Sequence, residues 1–504
     1  MPIPMPHRLL PARRAALRLL LACLAGLPAC VLAQTEAPPA WTRANADLRA
    51  GFETVELPGN ARMGLLGTSY LIELQRGLCV GPAVYGSVSG QHGGLFTVGA
   101  EAALCTALVG PLSLEAGLYV GGGGGGGAPV GGGLMLRPHA DLLWDFGGYR
   151  AGVSVSNVRF PSGQINSTQF GLVLGMNTDF TYLPAGRTAV PFHGGGRTGV
   201  GIDRILAVGG AYRPGAGSKG SSGAALNSQI GFIGARAERF IAPNFYGGVE
   251  ATAAGSGGAA GYAELLGTLG AAWPLLPERF ELGGRIGLGM GGGGDIPVGG
   301  GLLAKAALDA ALRLTRDVSL TLEAGWAKAP QGSFSAPYGS LALRWDMDHP
   351  QGELRKLTRE EWAGGAEIYR LAARKAGPAQ DMQNVTLKLN RFIGDSFYLT
   401  GQVRSAYAGN AGAYAAGLLG GGAQARIGES VLVGAELLAG VAGGGGVATG
   451  NGAIVQPMAY VGVALTPSLS LRLGAGRVKA LNGDLDSTLA DLTLVFSFGV
   501  ASRP

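Results

Sequence analysis

The chain has 504 residues, of which 92 are glycine, 47% are apolar and 14% are charged, with a formal net charge of +6. Glycine is far above its average share of about 7%. The apolar content excludes a disordered chain, and glycine does not recur at every third position as in collagen. The length allows roughly two to four ordinary domains or one very large closed domain.

Residues 1–33 have the composition of an export signal. Four arginines precede an apolar run at residues 19–25, and the small residues near Ala33 offer a cleavage site. Residues 27–30 also resemble a lipoprotein box, so lipidation of Cys30 stays open. Removal of the signal lowers the formal net charge to +2. We therefore expect no nucleic-acid partner, because such a surface needs clustered Lys and Arg.

Side chains in the mature chain alternate between apolar and polar along many short segments. The first of these are residues 78–89, 95–108, 112–120 and 134–144, and the pattern returns near residues 280–288 and 469–473. A period of two places successive side chains on opposite faces of a β-strand. No stretch of about 20 residues is apolar enough for a spanning helix, so the sequence predicts an all-β protein. Residues 229–240 do not resolve into two faces.

The sequence also contains an internal repeat. The motif Val130-Gly-Gly-Gly-Leu134 returns at residues 298–302, and hairpin motifs centred on Gly163, Gly332 and Gly483 follow glycine runs at 121–127, 291–294 and 443–446. Residues 239–246 likewise match 391–398. We predict three copies of about eight strands. The predicted segments are an N-terminal segment 34–46, copies 47–182, 199–347 and 362–500, linkers 183–198 and 348–361, and a tail 501–504.

Connections between the predicted strands alternate in length. Tight turns fall at residues 75–77, 109–111 and 145–148, whereas longer loops fall at 58–62, 214–225 and 377–381. Short turns at one end, longer loops at the other and strands of about ten residues are typical of an outer-membrane barrel.

On these features the chain resembles the bacterial outer-membrane β-barrel class over nearly all of its mature length. Its last predicted strand, residues 489–498, carries Phe496 and Phe498, although the chain continues to Pro504 where the class usually ends on an aromatic residue. The resemblance implies a Gram-negative cell outer membrane, contact with its lipid, and assembly by the barrel-assembly machinery.

The expected fold is a transmembrane antiparallel β-barrel of about 24 strands from three repeats. The three copies are expected to join into one wide barrel, and three tandem eight-stranded barrels are the alternative, since eight strands suffice to close.

One hairpin resembles the last hairpin of the lipid A deacylase family. Ser156-Asn157 is followed by Pro161 and Gly163, but Ser154 stands where that family has its histidine. The catalytic base is therefore missing, and no enzymatic activity is expected.

Charged side chains on one face of the predicted strands are candidates for lining a lumen. The mixture of signs does not indicate strong ion selectivity, and these side chains could equally form a neutralised network. The candidates are Glu101, Glu115, Arg137, His139, Asp141, Arg150, Glu250, Glu264, Lys305, Asp309 and Arg313. No histidine pair has metal-ligand spacing, so neither a metal nor a cofactor is expected.

Three functions fit this pattern. A channel or export conduit is the first expectation, a structural or surface-interaction barrel without transport is the second, and a lipid-modifying enzyme is a remote third. The transported solute or interaction partner is not encoded in any motif.

A disulfide is expected between Cys79 and Cys105. Both lie beyond the signal, both fall on the face that avoids lipid, and both are 13 residues from His92 in the predicted loop. Directly opposed residues of an antiparallel pair are close enough for a disulfide, and the exported compartment is oxidising.

Overall fold

The computed structural model describes residues 41–75, 77–185, 197–276, 279–347 and 356–502. Within these ranges the chain forms 24 strands and one 3₁₀ turn, Pro58–Asn60, and all paired strands are antiparallel. The all-β prediction is therefore confirmed. The predicted signal, Cys30, and most of both predicted linkers lie outside the described residues.

The first eight strands lie in the first predicted copy. They are β1 Thr42–Glu56, β2 Arg62–Gln75, β3 Leu78–Ser89, β4 Phe96–Val109, β5 Leu112–Gly124, β6 Met135–Asp145, β7 Tyr149–Arg159 and β8 Asn166–Pro184.

The next eight strands lie in the second copy. They are β9 Arg204–Tyr212, β10 Ile230–Ala242, β11 Phe245–Ala254, β12 Ala263–Leu276, β13 Phe280–Gly292, β14 Leu302–Arg313, β15 Val318–Lys328 and β16 Ser335–Asp346.

The last eight strands lie in the third copy. They are β17 Lys356–Ala372, β18 Gln380–Phe392, β19 Phe397–Ala408, β20 Ala415–Ile427, β21 Val431–Gly443, β22 Ala453–Ala464, β23 Leu469–Ala480 and β24 Asp486–Ser502.

Each set of eight strands closes on itself. β1 pairs with β8 over residues 42–53, β9 pairs with β16 along its full length, and β17 pairs with β24 over residues 356–369. This pairing corrects the expectation of a single wide ring, because a 24-stranded ring needs β8 to pair with β9 and β16 to pair with β17. The alternative topology applies: three eight-stranded barrels on one chain, here called barrels 1, 2 and 3.

Several strands extend beyond the boundaries expected from the sequence. β1 begins at Thr42 instead of residue 47, β17 begins at Lys356 inside the predicted linker 348–361, and β24 continues to Ser502. Alternation between apolar and polar side chains is weak in these strand ends, because residues 42–46 and 356–361 are mostly small or polar.

The two ends of every barrel differ in their connections. The longer connections, which include 90–95, 125–134 and 160–165, define the loop end, and the tight connections, which include 146–148, define the turn end. The first residue of β1 and the last residue of β24 lie at the turn end.

Glycine loops join the three barrels at the loop end. Barrel 1 meets barrel 2 where the Gly93 amide donates to the Gly299 carbonyl at 2.9 Å. A Cβ on Gly412 of barrel 3 would come within 2.5 Å of the Gly131 carbonyl oxygen of barrel 1. A Cβ on Gly261 of barrel 2 would likewise lie 2.9 Å from the Gly444 nitrogen of barrel 3. Each barrel therefore contacts both others, through its third-to-fourth strand loop on one side and its fifth-to-sixth strand loop on the other.

An aromatic cluster joins barrels 1 and 3 near the turn end. Phe180 of β8 lies 5.2 Å from Phe498 of β24 and 5.5 Å from Trp362 of β17, measured between ring centroids. Two residue pairs, Phe498 with Pro184 and Gly499 with Leu183, continue the sheet from one barrel to the other. The predicted terminal aromatic residue Phe498 thus lies in a barrel–barrel contact.

The segment after the first linker packs into the same region. Thr198 exchanges hydrogen bonds with the Ala501 backbone of barrel 3, and the Gly199 amide donates to the Thr181 carbonyl of barrel 1. Burial raises the pKa of the nearby Asp203 carboxyl, although the Phe240 amide and the Arg197 guanidinium favour its ionised form. The residues that lead into barrel 2 are therefore hydrogen-bonded to both other barrels.

Candidate functional site

The eleven candidate residues lie on interior faces of two separate barrels. Six belong to barrel 1 and five to barrel 2, so they do not line one common lumen. Glu101, Glu115 and Arg137 are at most 5% exposed, as are Glu250, Glu264 and Lys305. Arg150, Asp309 and Arg313 are half-buried. Alternation predicts these faces because inward and outward side chains alternate along every strand of a barrel.

Two arginines hold the charge network of barrel 1 together. Arg137 donates to both carboxylate oxygens of Glu53, at 2.9 and 3.0 Å. Arg49 likewise pairs with both oxygens of Glu115 and donates to Asp47 at 2.7 Å. Bidentate pairs of this kind are the strongest charge-assisted hydrogen bonds. Glu115 and Arg137 are therefore neutralised by partners that the sequence reasoning did not single out.

His139 lies between two carboxylates in the same network. Its Nδ1 is 3.0 Å from Asp141 Oδ2, and its Nε2 is 3.6 Å from Glu101 Oε1. Glu101 also accepts a hydrogen bond from the Tyr85 hydroxyl at 2.8 Å. His139, Asp141 and Glu101 are thus brought together in the buried interior of barrel 1.

Barrel 2 contains a continuous chain of ion pairs. Arg285 donates to Glu323 at 2.6 and 2.9 Å and lies 2.8 Å from Glu250. Lys305 is 3.2 Å from Glu250 and bonds Glu264 directly. These side chains occupy the middle of the barrel. Arg285 and Glu323 complete the network, and the alternation of 279–285 already indicates Arg285.

Barrel 3 has an equivalent network that the sequence analysis missed. Arg404, a fully buried side chain, donates to Glu367 and Gln456, each at 2.7 Å. Lys388 pairs with Glu436 at 2.6 Å, and the Tyr398 hydroxyl donates to the same carboxylate. The sequence does contain a signal for Lys388. The even-numbered residues 384, 386, 388 and 390 are all polar, so they lie on one face of the strand.

Loops close each barrel at the loop end. In barrel 1, Val130, Phe160 and Ile165 fold inward and are at most 5% exposed. Glycines make this closure possible, since a Cβ on Gly163 would lie 2.7 Å from the Val130 carbonyl carbon. The repeated hairpin glycine and the repeated Val-Gly-Gly-Gly motif therefore pack against each other.

The same closure recurs in the other two barrels. A Cβ on Gly332 would lie 2.5 Å from the Val298 carbonyl carbon, and a Cβ on Gly483 would lie 2.5 Å from the Thr449 carbonyl carbon. Apolar side chains again fill the space beneath, including Phe334 in barrel 2 and Leu485 in barrel 3. A barrel of eight strands has an interior that side chains can fill, and side chains occupy the loop end of all three interiors in this way.

A cavity lies at the turn end. The cavity has a volume of about 950 Å³, and its lining includes Glu361, Gln424 and Ser470 of barrel 3 together with residues 183–185 of barrel 1 and 345–347 of barrel 2. Arg472 of barrel 3 donates to Glu361 of this lining at 2.8 Å. The cavity is therefore a recess at the turn end that all three barrels help to line.

The serine motif of the deacylase-like hairpin faces the inside of barrel 1. Ser156 is 2% exposed and donates to Glu53 at 2.5 Å, and Ser154 accepts a hydrogen bond from Arg137. Both hydroxyls are part of the interior network, away from the outer surface. The deacylase resemblance is not supported by this placement.

Cys79 and Cys105 lie on the interior face of barrel 1, as the alternation predicts, but not directly opposite each other. Cys79 pairs with Ala103, so the register differs by two residues from the expected one. The cause is the centre of the hairpin, which is residue 91 instead of His92, as the hydrogen bond from the Ser87 amide to the Leu95 carbonyl shows. The two Sγ atoms are nevertheless 3.6 Å apart, and both residues are thiols in this structure.

Metal-binding groups and membrane-spanning helices are not found in the described ranges. No group of three His, Cys, Asp or Glu side chains in them is arranged to hold a metal ion. Nor does any helix in them have the length and apolar content required to cross a membrane.

Comparisons with known proteins give only a distant likeness. No protein-family model matches the chain, and no curated protein matches it. OccAB3 of Acinetobacter baumannii matches with 8% identity and a TM-score of 0.21, covering 91% of this chain and 99% of its own. The ferric enterobactin receptor PfeA of Pseudomonas aeruginosa matches with 11% identity and a TM-score of 0.28, covering 92% and 82%. Folds that superpose this poorly carry no argument about topology or activity.

Proposed function

We propose that the chain is an outer-membrane protein in which three barrels, each closed to solutes, form one membrane-embedded structural or surface-interaction platform. The observation that carries the proposal is the contrast between the two faces of the strands. The inward faces are filled with paired charges and capped by apolar loops, whereas the outward faces carry exposed leucine, isoleucine, valine and aromatic side chains.

The outward faces support a lipid environment. In β4, Leu104 and Leu108 are 59% and 47% exposed, while the inward Glu101 is only 3% exposed. The same holds for Ile286 in barrel 2 and Leu473 in barrel 3. A closed sheet leaves no unpaired edge in hydrocarbon. Together with the predicted export signal, this supports the outer membrane as the location.

The location has a direct test. The mature protein is expected to fractionate with the outer membrane, to resist carbonate extraction, and to run faster on a gel unheated than boiled. Closed barrels keep their compact shape in detergent until they are heated, which explains the expected mobility difference. Recovery as a soluble periplasmic protein would contradict the proposal.

We expect the barrels not to conduct ions, and recordings in planar bilayers test this expectation. Heat-modifiable protein is expected to give no steady unitary conductance, because ion pairs and loop caps occupy each interior. A porin of known conductance, inserted under the same conditions, serves as the positive control. Steady conductance steps from purified wild-type protein would favour a channel.

Transport is the second candidate, favoured by the recess at the turn end, which barrel 3 lines in part. An opening through barrel 3 would have to displace Arg472 from Glu361, a residue of the recess lining. If transport occurs, Arg472→Ala is expected to increase conductance or solute uptake, whereas Arg477→Ala, which removes an exposed arginine on the outer face, is expected to change neither. Equal behaviour of both variants and the wild type would leave the closed platform as the supported function.

A further inference from the structure

One exposed cation recurs at the same place on the outer face of all three barrels. It is the last outward residue of the seventh strand, directly before the hairpin loop. The three residues are Arg159, Lys328 and Lys479. Each pairs across the hairpin with the first residue of the eighth strand. The position is therefore equivalent in register as well as in sequence.

These three cations point away from the barrel interior. Their preceding neighbours Val158, Ala327 and Val478 are fully buried inside, whereas the cations themselves are exposed. Successive side chains of a strand point to opposite faces, so the cations lie on the face that carries the apolar belt.

The cations lie directly above that belt at the loop end. Further down the same outer face, Val155, Leu322 and Leu473 are 42%, 63% and 58% exposed. In barrel 2 the outward residues between them are Ala324 and Trp326, and tryptophan is typical of the boundary between hydrocarbon and headgroups. The cations therefore stand where lipid headgroups begin.

Within the described residues, Arg159 and Lys328 have no ion pair. Lys479 lies opposite Asp486 and interacts with it electrostatically, but Asp486 is already paired with Arg477 at 2.5 Å. Other exposed strand arginines at the loop end are paired, Arg62 with Glu56 at 3.6 Å and Arg370 with Asp381 at 2.6 Å. The outer face therefore supplies carboxylates for these arginines, leaves Arg159 and Lys328 without one, and gives Lys479 only a carboxylate shared with Arg477.

We propose that Arg159, Lys328 and Lys479 each bind the phosphate of a lipid headgroup in the leaflet at the loop end. This inference rests on the proposed location in the outer membrane. Short turns conventionally face the periplasm, so the loop end faces the outer leaflet. Basic side chains at a membrane surface attract anionic headgroups, while their aliphatic stems remain on the apolar belt.

The test measures anionic lipid retained by the full-length protein. Wild type and the triple variant Arg159→Gln/Lys328→Gln/Lys479→Gln are reconstituted in phosphatidylcholine vesicles containing lipopolysaccharide or phosphatidylglycerol. After extraction in mild detergent, bound lipid is quantified by mass spectrometry. The matched control is Arg62→Gln/Arg370→Gln, which removes charge from paired positions at the same end and is compared with Arg159→Gln/Lys328→Gln.

The triple variant is expected to bind anionic lipid about fivefold more weakly at each site, which corresponds to the typical contribution of one surface cation. The control is expected to stay near wild type. Equal loss in the control and in Arg159→Gln/Lys328→Gln, or none in either, would overturn the proposal. Inorganic phosphate bound as tightly as the lipid would also overturn it, because the site would then not require a lipid.

Failure of this inference is distinguishable from failure of the proposed function. A conducting protein that still retains anionic lipid through the three cations would contradict the closed platform alone. A non-conducting, heat-modifiable protein with no such preference would contradict the lipid sites alone. Heat-modifiable mobility of every variant verifies that each has assembled.

Discussion

At the scale of single residues, the interiors of the barrels are built from complementary charges. A buried ion pair of an arginine and a glutamate is found in each barrel: Arg137 with Glu53 in barrel 1, Arg285 with Glu323 in barrel 2, and Arg404 with Glu367 in barrel 3. Burying one charge is costly unless a partner and further hydrogen bonds satisfy it. Removing one member of such a pair should therefore destabilise more than removing both.

Arg404→Met is expected to destabilise barrel 3 by about 3–5 kcal/mol, because Glu367 would be left buried without its partner. The double variant Arg404→Met/Glu367→Gln is expected to recover most of that loss. Urea-dependent unfolding, followed by tryptophan fluorescence and gel mobility, measures both. If the double variant is as unstable as the single variant, packing of the arginine stem dominates over its charge.

The two cysteines of barrel 1 give a second residue-scale prediction. Their Sγ atoms are 3.6 Å apart next to a tight turn, so small adjustments at the strand end bring them to bonding distance. With the proposed export to an oxidising compartment a disulfide is expected, with a mass about 2 Da below that of the reduced chain. Cys79→Ser/Cys105→Ser is expected to assemble normally, because the barrel already fixes the register. Two alkylatable thiols in the native protein would contradict the bond.

At the scale of elements, most strands follow from alternation and turn chemistry alone. The predicted segment 78–89 coincides with β3, and 112–120 and 134–144 differ from β5 and β6 by a few residues at their ends. Segment 229–240 contains the charges Arg236 and Glu238 on the inner face of β10, next to a run of small residues that made its faces ambiguous. Strand pairing across a barrel leaves no local trace in the sequence.

The glycine loops also have a physical explanation at this scale. The glycine-rich motifs bring backbones from two barrels, or from two loops of one barrel, into direct contact, where a side chain has no space. The sequence indicates that these glycines recur, but it does not indicate what they contact.

Gly412→Ala is expected to destabilise the contact between barrels 3 and 1, since the added Cβ would meet the Gly131 carbonyl oxygen at 2.5 Å. Overpacking of this kind costs about 1–3 kcal/mol. Gly417→Ala is the control, because a Cβ there meets nothing within 4 Å. Thermal unfolding of the two variants is compared by circular dichroism. Equal transition temperatures would show that the loop-end contact is too loose to require glycine.

At the scale of the whole molecule, the number of barrels could not be predicted from the sequence. One ring of 24 strands and three rings of eight have the same strands, the same turns and the same faces. They differ in whether a strand pairs with one about 130 residues away in its own copy, as β1 does with β8. The inward glycine and alanine residues and the low charge favour small filled barrels, because a wide aqueous lumen needs a polar lining.

Independent closure predicts how the chain tolerates truncation. A chain ending after Met347 retains the closing pairs β1 with β8 and β9 with β16, so barrels 1 and 2 are expected to assemble. Its strand signal in circular dichroism should be two thirds of the full value, since 16 of 24 strands remain. Its thermal transition should fall, because Phe180 loses the aromatic contacts to Trp362 and Phe498.

A chain ending after Gly428 is the matched control for that truncation. It keeps four strands of barrel 3, β17 to β20, but lacks β24, which closes the barrel against β17. An open sheet exposes unpaired backbone groups that hydrocarbon cannot satisfy. This longer chain is therefore expected to be degraded or aggregated, while the shorter chain gives a protease-resistant, heat-modifiable band. The opposite order of stability would mean that the barrels do not close independently, because only a ring shared between copies gains from four additional strands.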